Sequence, residues 1–373
     1  MKKNSVKRTN GTKDAASRYS KLKEELDSDL FNSQWRLVNT EGPLGINKKY
    51  NFIDLFSGAG GLSLGFSQAN YEKLLSSEID PDAAATNERN FPKAIHFTGP
   101  IEKVSDRQIL DAVGNKTVHV VCGGPPCQGF SVAGLRNPKD PRNVMFKEFV
   151  RVVSLVKPWF VLLENVPGIL TMSGGAVKNA IIAEFDQIGY RGMSVRILEA
   201  ATYGVPQLRT RAIFIANRFN LVNPYPKEIY AKEQYKAIES VILDLKDHPR
   251  DPKINHEWTE HSKEYEERIA KVPPGGSLYE TFRDAFKRQY LGVPAMTIKE
   301  NHGGTHIHPV LNRVISAREM ARLQTFPDNF IFEGRMKRVM WQVGNAVPVL
   351  FAKHLALALR DGLREAEKIL SKG

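Results

Sequence analysis

FIDLFSGAGGLSLGF, Phe52 to Phe66, decides the fold of this chain. A short apolar run of β type leads into Gly58, Gly60 and Gly61, and a helical pattern begins directly afterwards. Strand, glycine-rich turn and helix start form the opening unit of an open α/β sheet, whose glycines let backbone approach a ligand at the strand's carboxyl end. The next strand ends in Ser77-Glu78-Ile79-Asp80. An acidic residue about 20 residues on suits a ribose diol. A dinucleotide fingerprint, G-x-G-x-x-G, needs a third glycine where this chain has Ser63. Asp54 beside the turn disfavours a phosphate and favours a cationic, amino-acid-like group. These residues point to S-adenosylmethionine before NAD, against the alternative of a tight packing turn without ligand.

The same rhythm continues outward from this unit. Apolar β-type segments at Asn51–Leu55, Lys73–Glu78, Val118–Cys122, Trp159–Glu164, Arg191–Glu199 and Arg211–Asn217 are interleaved with helical ones. That alternation predicts a doubly wound, largely parallel sheet. After Asn217 it stops, and loop signals such as Pro224, Pro249 and Pro273–Gly276 take over. Helical periodicity returns at Ser316–Gln324 and Val347–Leu370. The expected organisation is a basic N-terminal extension (1–48), a catalytic and cofactor-binding domain (49–217), a smaller inserted domain (218–310) and a return to the first domain (311–373). Within the extension, Tyr19, Leu22, Leu26 and Leu30 predict a helix over Ala15–Val38.

The 373 residues carry a net charge of +12, an excess that favours a polyanionic partner such as nucleic acid. Two cysteines, Cys122 and Cys127, are too few for a disulfide framework or a thiolate metal site, so the chain reads as reduced and intracellular. No apolar run among Trp159–Leu163 and Val347–Ala352 approaches a membrane span, and the basic first residues lead into no signal-peptide core.

Cys122 falls in an apolar strand and reads as a small core residue. Cys127 stands in GGPPCQGFS, a Gly/Pro-framed loop at the sheet's carboxyl edge, where reactive groups are displayed. A free thiol has a pKa of about 8.5, so a nucleophilic role needs positive charge nearby. LLENVPG places Glu164 and Asn165 at the end of another buried strand. QLRTR then sets Arg209 and Arg211 at i and i+2, which on an extended strand face one place.

At this point the chain resembles the cytosine-C5 DNA methyltransferases of bacterial restriction–modification systems. DLFSGAGG is similar to the family's cofactor motif and Glu78 to its ribose-binding acid. GGPPCQGFS resembles its catalytic loop, ENV its acid, and QLRTR its arginine motif. SAREMARLQTFPD (Ser316–Asp328) and QVGNAVP (Gln342–Pro348) resemble its two late motifs, all in the family's order. The resemblance implies a Rossmann-like methyltransferase sheet with an inserted target-recognition domain. It also implies a reaction. Cys127 attacks C6 of a flipped-out cytosine, Glu164 engages N3, Arg211 holds O2, and Arg209 lies near the thiol and helps keep it ionised. C5 then takes the methyl group of S-adenosylmethionine, leaving S-adenosylhomocysteine, with no metal. The implied cofactor contacts are Asp54, Phe56 on the adenine, Gly58, Gly60, Gly61, Leu62, Glu78, Ile79, Ile101, Pro125, Asn345 and Ala346.

One departure stands out. The family's adenine-binding aspartate falls where this chain has Pro100, in Thr98-Gly99-Pro100-Ile101, and proline offers no side-chain acceptor. Duplex DNA is the implied partner of a monomeric, cytoplasmic enzyme that meets it at the nucleoid. Expected contacts are Gln128, Ser131, Arg136 and Arg142 in the loop closing over the base. Arg283, Arg288, Asn301, Gly303, Gly304 and Thr305 are expected contacts in the insert, which holds six of the nine histidines but no cysteine to complete a metal site. The same chemistry on RNA, an inactive DNA-binding homologue and an NAD oxidoreductase are the competing readings.

Overall fold

A computed structural model describes residues 20–28, 34–41, 48–126, 144–280, 285–299 and 306–372. Cys127, Gln128, Ser131, Arg136, Arg142, Arg283, Asn301, Gly303, Gly304 and Thr305 lie outside the described residues.

Seven strands form the central sheet: β2 (Tyr50–Leu55), β3 (Tyr71–Glu78), β4 (Ile95–Thr98), β5 (Val120–Gly123), β6 (Phe160–Asn165), β7 (Ser194–Glu199) and β8 (Thr210–Asn217). Their spatial order is β4-β3-β2-β5-β6-β8-β7. All run parallel except β8, which is antiparallel to both β6 and β7. The order reverses between β2 and β5, so the crevice of an open α/β sheet falls between the Gly58–Gly61 turn and the start of the Cys127 loop.

Alternation along β2 sorts the two layers. Ile53 and Leu55 face a core with Ile109 of α3 (Asp106–Val113), Phe149 of α4 (Val144–Val156) and Ile181 of α5 (Ala176–Gln187). Phe52 faces the opposite core with Phe66 of α1 (Gly61–Gln68) and Phe351 of α10 (Val349–Leu370). The second crossover helix, α2 (Pro81–Asn90), follows β3. Met336–Leu370 is long and apolar enough to cross a membrane by length and composition, longer than the runs read from the sequence, but 83% of its most apolar window is buried inside the fold.

Two placements differ from expectation. The N-terminal helix ends at residue 28, and Trp35–Val38 is a strand, β1, paired in parallel with β9 (Asn223–Pro226). Tertiary contacts override helical periodicity there. The Arg196 guanidinium stacks 3.6 Å from the Trp35 ring centroid and pairs with Asp27 at 3.1 Å, while Arg36 bonds Glu365 of α10 at 2.9 Å. Asn223–Pro226 therefore packs with the sheet-bearing body although it follows Asn217.

Beyond β9 regular structure is sparse: α6 (Glu239–Ile242), α7 (Lys263–Ala270), and β10 (Lys287–Arg288) paired with β11 (His306–Ile307). Buried arginines anchor this segment to α8 (Ala317–Leu323) and the turn after it, ahead of α9 (Met336–Asn345). Arg313 makes a two-pronged pair with the fully buried Glu319, at 2.8 and 2.7 Å. Arg318 donates to the carbonyls of Ile254, Pro327 and Phe330.

Candidate active site

The turn after β2 is built on left-handed backbone. Gly58 has φ +52° and Gly60 φ +92°, conformations in which side chains are strained. The three glycines then differ in what surrounds them. A Cβ on Gly61 would lie 2.1 Å from the Val347 carbonyl oxygen, and one on Gly60 2.9 Å from the Phe91 ring. Only Gly58 of the three faces open space. Gly60 and Gly61 thus serve close packing, and Gly58 leaves open space where a side chain would stand.

Glu78, at the end of β3, accepts from the Gly58 N–H at 2.7 Å and the Asp80 N–H at 2.9 Å. Burial pushes its carboxyl above the usual range, and the backbone N–H groups of Gly58 and Ile79 pull the other way. Each oxygen keeps a further lone pair for an outside donor. Beside it Ile79 is 61% exposed, an apolar side chain held open at the strand's end. Phe56, in left-handed backbone at φ +56°, is partly buried against the α3–α5 core. Asn345 is exposed at the end of α9, whereas Leu62, Ile101, Pro125 and Ala346 are buried. Pro100 precedes a 3-10 turn at Ile101–Lys103.

Asp54 sits lower than the sequence reading put it. It is fully buried beneath the turn, on the α1 side of the sheet, because it alternates with Ile53 and Leu55. Its Oδ2 accepts from the Ser63 hydroxyl at 2.6 Å, while Oδ1 has no partner among the described residues. Burial raises its pKa to about 6. Ser63, which breaks the dinucleotide fingerprint, is the residue that holds it.

On the other side of the crevice, β5 ends beside β6. Cys122 is fully buried, and burial pushes its thiol pKa far up, so it is inert. The Asn165 side-chain amide donates to the Pro125 carbonyl at 3.0 Å, pinning the exit from β5 against the ENV turn. Gly124 lies under Glu164: a Cβ there would come within 3.1 Å of its Oε2. Across β6 and β8, Arg211 Nε meets Glu164 Oε1 at 2.5 Å, both side chains about one-tenth exposed. An acid and a cation are thereby held together over Gly124, three residues before Cys127 in the chain.

The two arginines do not face one place. Arg209 is 3% exposed, and its guanidinium donates to the carbonyls of Ile298, at 2.9 Å, and Gly344, at 3.0 Å. Burial, and then Arg211, pull its pKa down. Gln207 and Gln324 complete this buried link: Gln207 accepts from Ile298 N–H at 2.8 Å and donates to Gln324 Oε1 at 3.0 Å. Sequence reading did not single out Gln324, although it lies in the quoted SAREMARLQTFPD motif directly after the helix AREMARL.

Arg288, expected at DNA, is instead 6% exposed and donates to the carbonyls of Val272, Ile269, His308 and Leu311 and to Asn312 Oδ1. It folds the insert onto itself. The sequence signal, a basic residue in a loop-rich insert, does not distinguish a phosphate contact from a buried carbonyl tie.

The whole arrangement matches known proteins. The family model described as C-5 cytosine-specific DNA methylase matches residues 50–361. Type II methyltransferase M1.HphI of Haemophilus parahaemolyticus is 38% identical over 323 residues, covering 83% of this chain and 86% of that one. Type II methyltransferase M.DdeI of Desulfomicrobium norvegicum is 34% identical over 367 residues, covering 82% and 87%. Among solved structures, a DNA modification methyltransferase encoded within a prophage (E. coli) superposes with a TM-score of 0.69 at 28% identity, over 84% of this chain and 99% of that one. A Spodoptera frugiperda DNMT2 structure shares the fold, with a TM-score of 0.61 at 20% identity. Strand order, crevice and family match agree: this chain belongs to the C-5 cytosine-specific DNA methylases and is a DNA cytosine-5-methyltransferase.

Proposed function

We propose that the enzyme uses S-adenosylmethionine to methylate C5 of a cytosine flipped out of a short duplex DNA sequence, with Cys127 as nucleophile. The observation that carries this reading is the Glu164–Arg211 pair beside the Pro125–Pro126 exit to Cys127.

The crevice fits the cofactor. Glu78 has lone pairs left for a ribose diol, Ile79 offers an apolar face to adenine, and Gly58, lacking a side chain, leaves room beside the turn. Pro100 supplies no side-chain acceptor, so adenine is held by apolar contact and backbone. Phe56, Asn345 and Ala346 border the same site. S-adenosylmethionine when bound supplies a sulfonium-activated methyl group. Every other step falls to the chain. Cys127 Sγ bonds to C6 of the cytosine, which converts C5 into an enamine carbon. Glu164 hydrogen-bonds N3, and Arg211, held against Glu164, holds O2, so charge is drawn from the ring as the adduct forms. After C5 is methylated it loses its proton, the C6–Sγ bond breaks, and the ring is restored. Arg209 acts from behind, joining the insert at Ile298 to the end of α9 at Gly344.

Duplex DNA is the partner, bound by a monomer in the cytoplasm. The net charge of +12 supports a polyanionic partner through counterion release. Flipping the base costs a few kcal/mol, which loop contacts from Gln128, Ser131, Arg136 and Arg142 offset. Arg283, Asn301, Gly303, Gly304 and Thr305 in the insert meet the target sequence.

The test is to incubate the protein with labelled S-adenosylmethionine and a mixed-sequence duplex library, and to map methylated cytosines at base resolution. Methylation within one short sequence, lost in Cys127→Ser, is the expected result. No label in duplex with label in RNA would move the reaction to RNA. Label in neither would make the chain a DNA-binding homologue.

A further inference from the structure

A buried lysine lies under the cofactor turn. Lys73 is 6% exposed in β3, beside an irregularity where Phe52 pairs with Lys73 but Ile53 with Leu75. The extra residue directs the Lys73 side chain toward α2. Its ammonium donates to Asn87 Oδ1 at 2.7 Å and lies 3.8 Å from the Phe91 ring centroid. Burial lowers the Lys73 pKa to about 7, and fully buried Asp54 pulls the other way. Few proteins bury a lysine without a use for it, since desolvation disfavours the charged form.

Asn87 shows what the lysine does. It is 1% exposed, and its Nδ2 donates to the Gly58 carbonyl at 2.5 Å and to the Ser57 hydroxyl at 3.3 Å. An asparagine amide can be turned end for end with little change of shape. The two ends agree on one orientation: the Lys73 amino group donates to Oδ1, and the Gly58 carbonyl, which can only accept, takes Nδ2. The Gly58 N–H is held by Glu78 on the opposite side. The peptide units flanking the one open glycine of the turn are therefore gripped from both directions. One grip comes from the ribose acid, the other from Lys73 through Asn87. The Phe91 ring under the ammonium also lies against Gly60, so the same cluster floors the turn.

We propose that Lys73 is a positioning residue for cofactor binding, acting through Asn87 to fix the orientation of the Gly58 carbonyl in the turn that receives S-adenosylmethionine. This rests on the assignment of that turn to the cofactor. Lys73 touches neither cofactor nor base, so it sets the affinity for the cofactor and leaves the chemical step alone.

Calorimetric titration of the full chain with S-adenosylhomocysteine tests it, for wild type, Lys73→Met, Asn87→Asp and the double variant, with melting temperature recorded without ligand. Asn87→Asp keeps the shape and pairs with Lys73 but removes the donor to Gly58. Each single variant is expected to weaken binding about tenfold, the effect of one lost well-placed hydrogen bond to an ordered loop. Asn87→Asp is expected to melt below wild type, because the Gly58 carbonyl loses its buried donor, so affinities are compared at a temperature where both chains are fully folded. The double variant should bind no more weakly than the worse single one, because both changes break one relay. With duplex substrate, KM for S-adenosylmethionine should rise by the same factor, while kcat at saturating cofactor stays within about twofold. Wild-type affinity in Asn87→Asp, or multiplied losses in the double variant, overturns the proposal even if Lys73→Met fails to fold. A wild-type chain that binds no S-adenosylhomocysteine overturns the cofactor assignment itself, a separate result.

Discussion

Arg211 Nε and Glu164 Oε1 stand 2.5 Å apart, joining β8 to β6 at the carboxyl edge of the sheet. The pair engages one oxygen of the carboxylate and Nε of the guanidinium, whose Nη1 donates to the Thr210 carbonyl at 2.8 Å, and leaves Glu164 Oε2 and Arg211 Nη2 for a base. Glu164→Gln keeps the shape and removes the charge. It is expected to lower kcat by about 10²–10³-fold, the usual range for a lost acid or charge stabiliser, with cofactor affinity unchanged. Single-turnover methyl transfer on the duplex substrate measures this. A loss below about threefold would remove Glu164 from the reaction.

Gly61 and Gly58 make different predictions from one turn. Gly61→Ala drives a methyl group to 2.1 Å from the Val347 carbonyl oxygen. Backbone must move, and a stability loss of about 1–3 kcal/mol is expected in chemical denaturation. Gly58→Ala meets no atom within 4 Å but keeps φ +52°. It should cost about 1 kcal/mol of stability from left-handed strain, and more than that in cofactor affinity because its methyl group enters the crevice. Equal effects of the two on cofactor binding would contradict the packing role given to Gly61.

Arg288→Ala separates a folding tie from a DNA contact. Five acceptors lose their donor, four of them backbone carbonyls. A loss on the order of 2–4 kcal/mol is expected, seen as a lower melting temperature. The slope of log affinity for DNA against log salt should stay as in wild type. A phosphate contact would instead reduce that slope by about 1.

Acid should destabilise the fold through histidines. Burial lowers the pKa of His119, His306, His308 and His354 to about 4, from an unfolded value of 6.5. Geometry gives a cause for two of them. His119 Nδ1 accepts from the Asn51 N–H, and His308 Nδ1 from those of Val310 and Leu311, bonds that a proton would break. Above pH 6.5 neither state holds these protons and stability is complete. Between 6.5 and 4 the unfolded chain takes them up and the folded one does not, so stability falls as pH falls. The loss is on the order of 2–3 kcal/mol per histidine at most. Melting temperatures measured stepwise from pH 7.5 to 4.5 should drop steadily below 6.5. A flat profile would show these histidines to be protonated in the fold.

What the chain's own order of residues determined was whatever depends on neighbours in sequence. Apolar runs marked six of the seven sheet strands from Tyr50 to Asn217, all but the short, half-exposed edge strand β4, while glycines marked the turn after β2 and ordered motifs named the family. These are local properties of strands and turns, readable without knowing what packs against them. Tertiary structure decided the partners. Two arginines two residues apart part company because Arg209 finds carbonyls 89 and 135 residues away, while Arg211 finds Glu164 on the neighbouring strand. Trp35–Val38 became a strand because β9 offered it an edge. Arg288 turned inward, Asp54 went under the turn, and Lys73 reached Asn87. The reason is common to all. A buried polar group must be satisfied, and which acceptor or counter-charge satisfies it depends on the through-space arrangement of segments far apart in the chain.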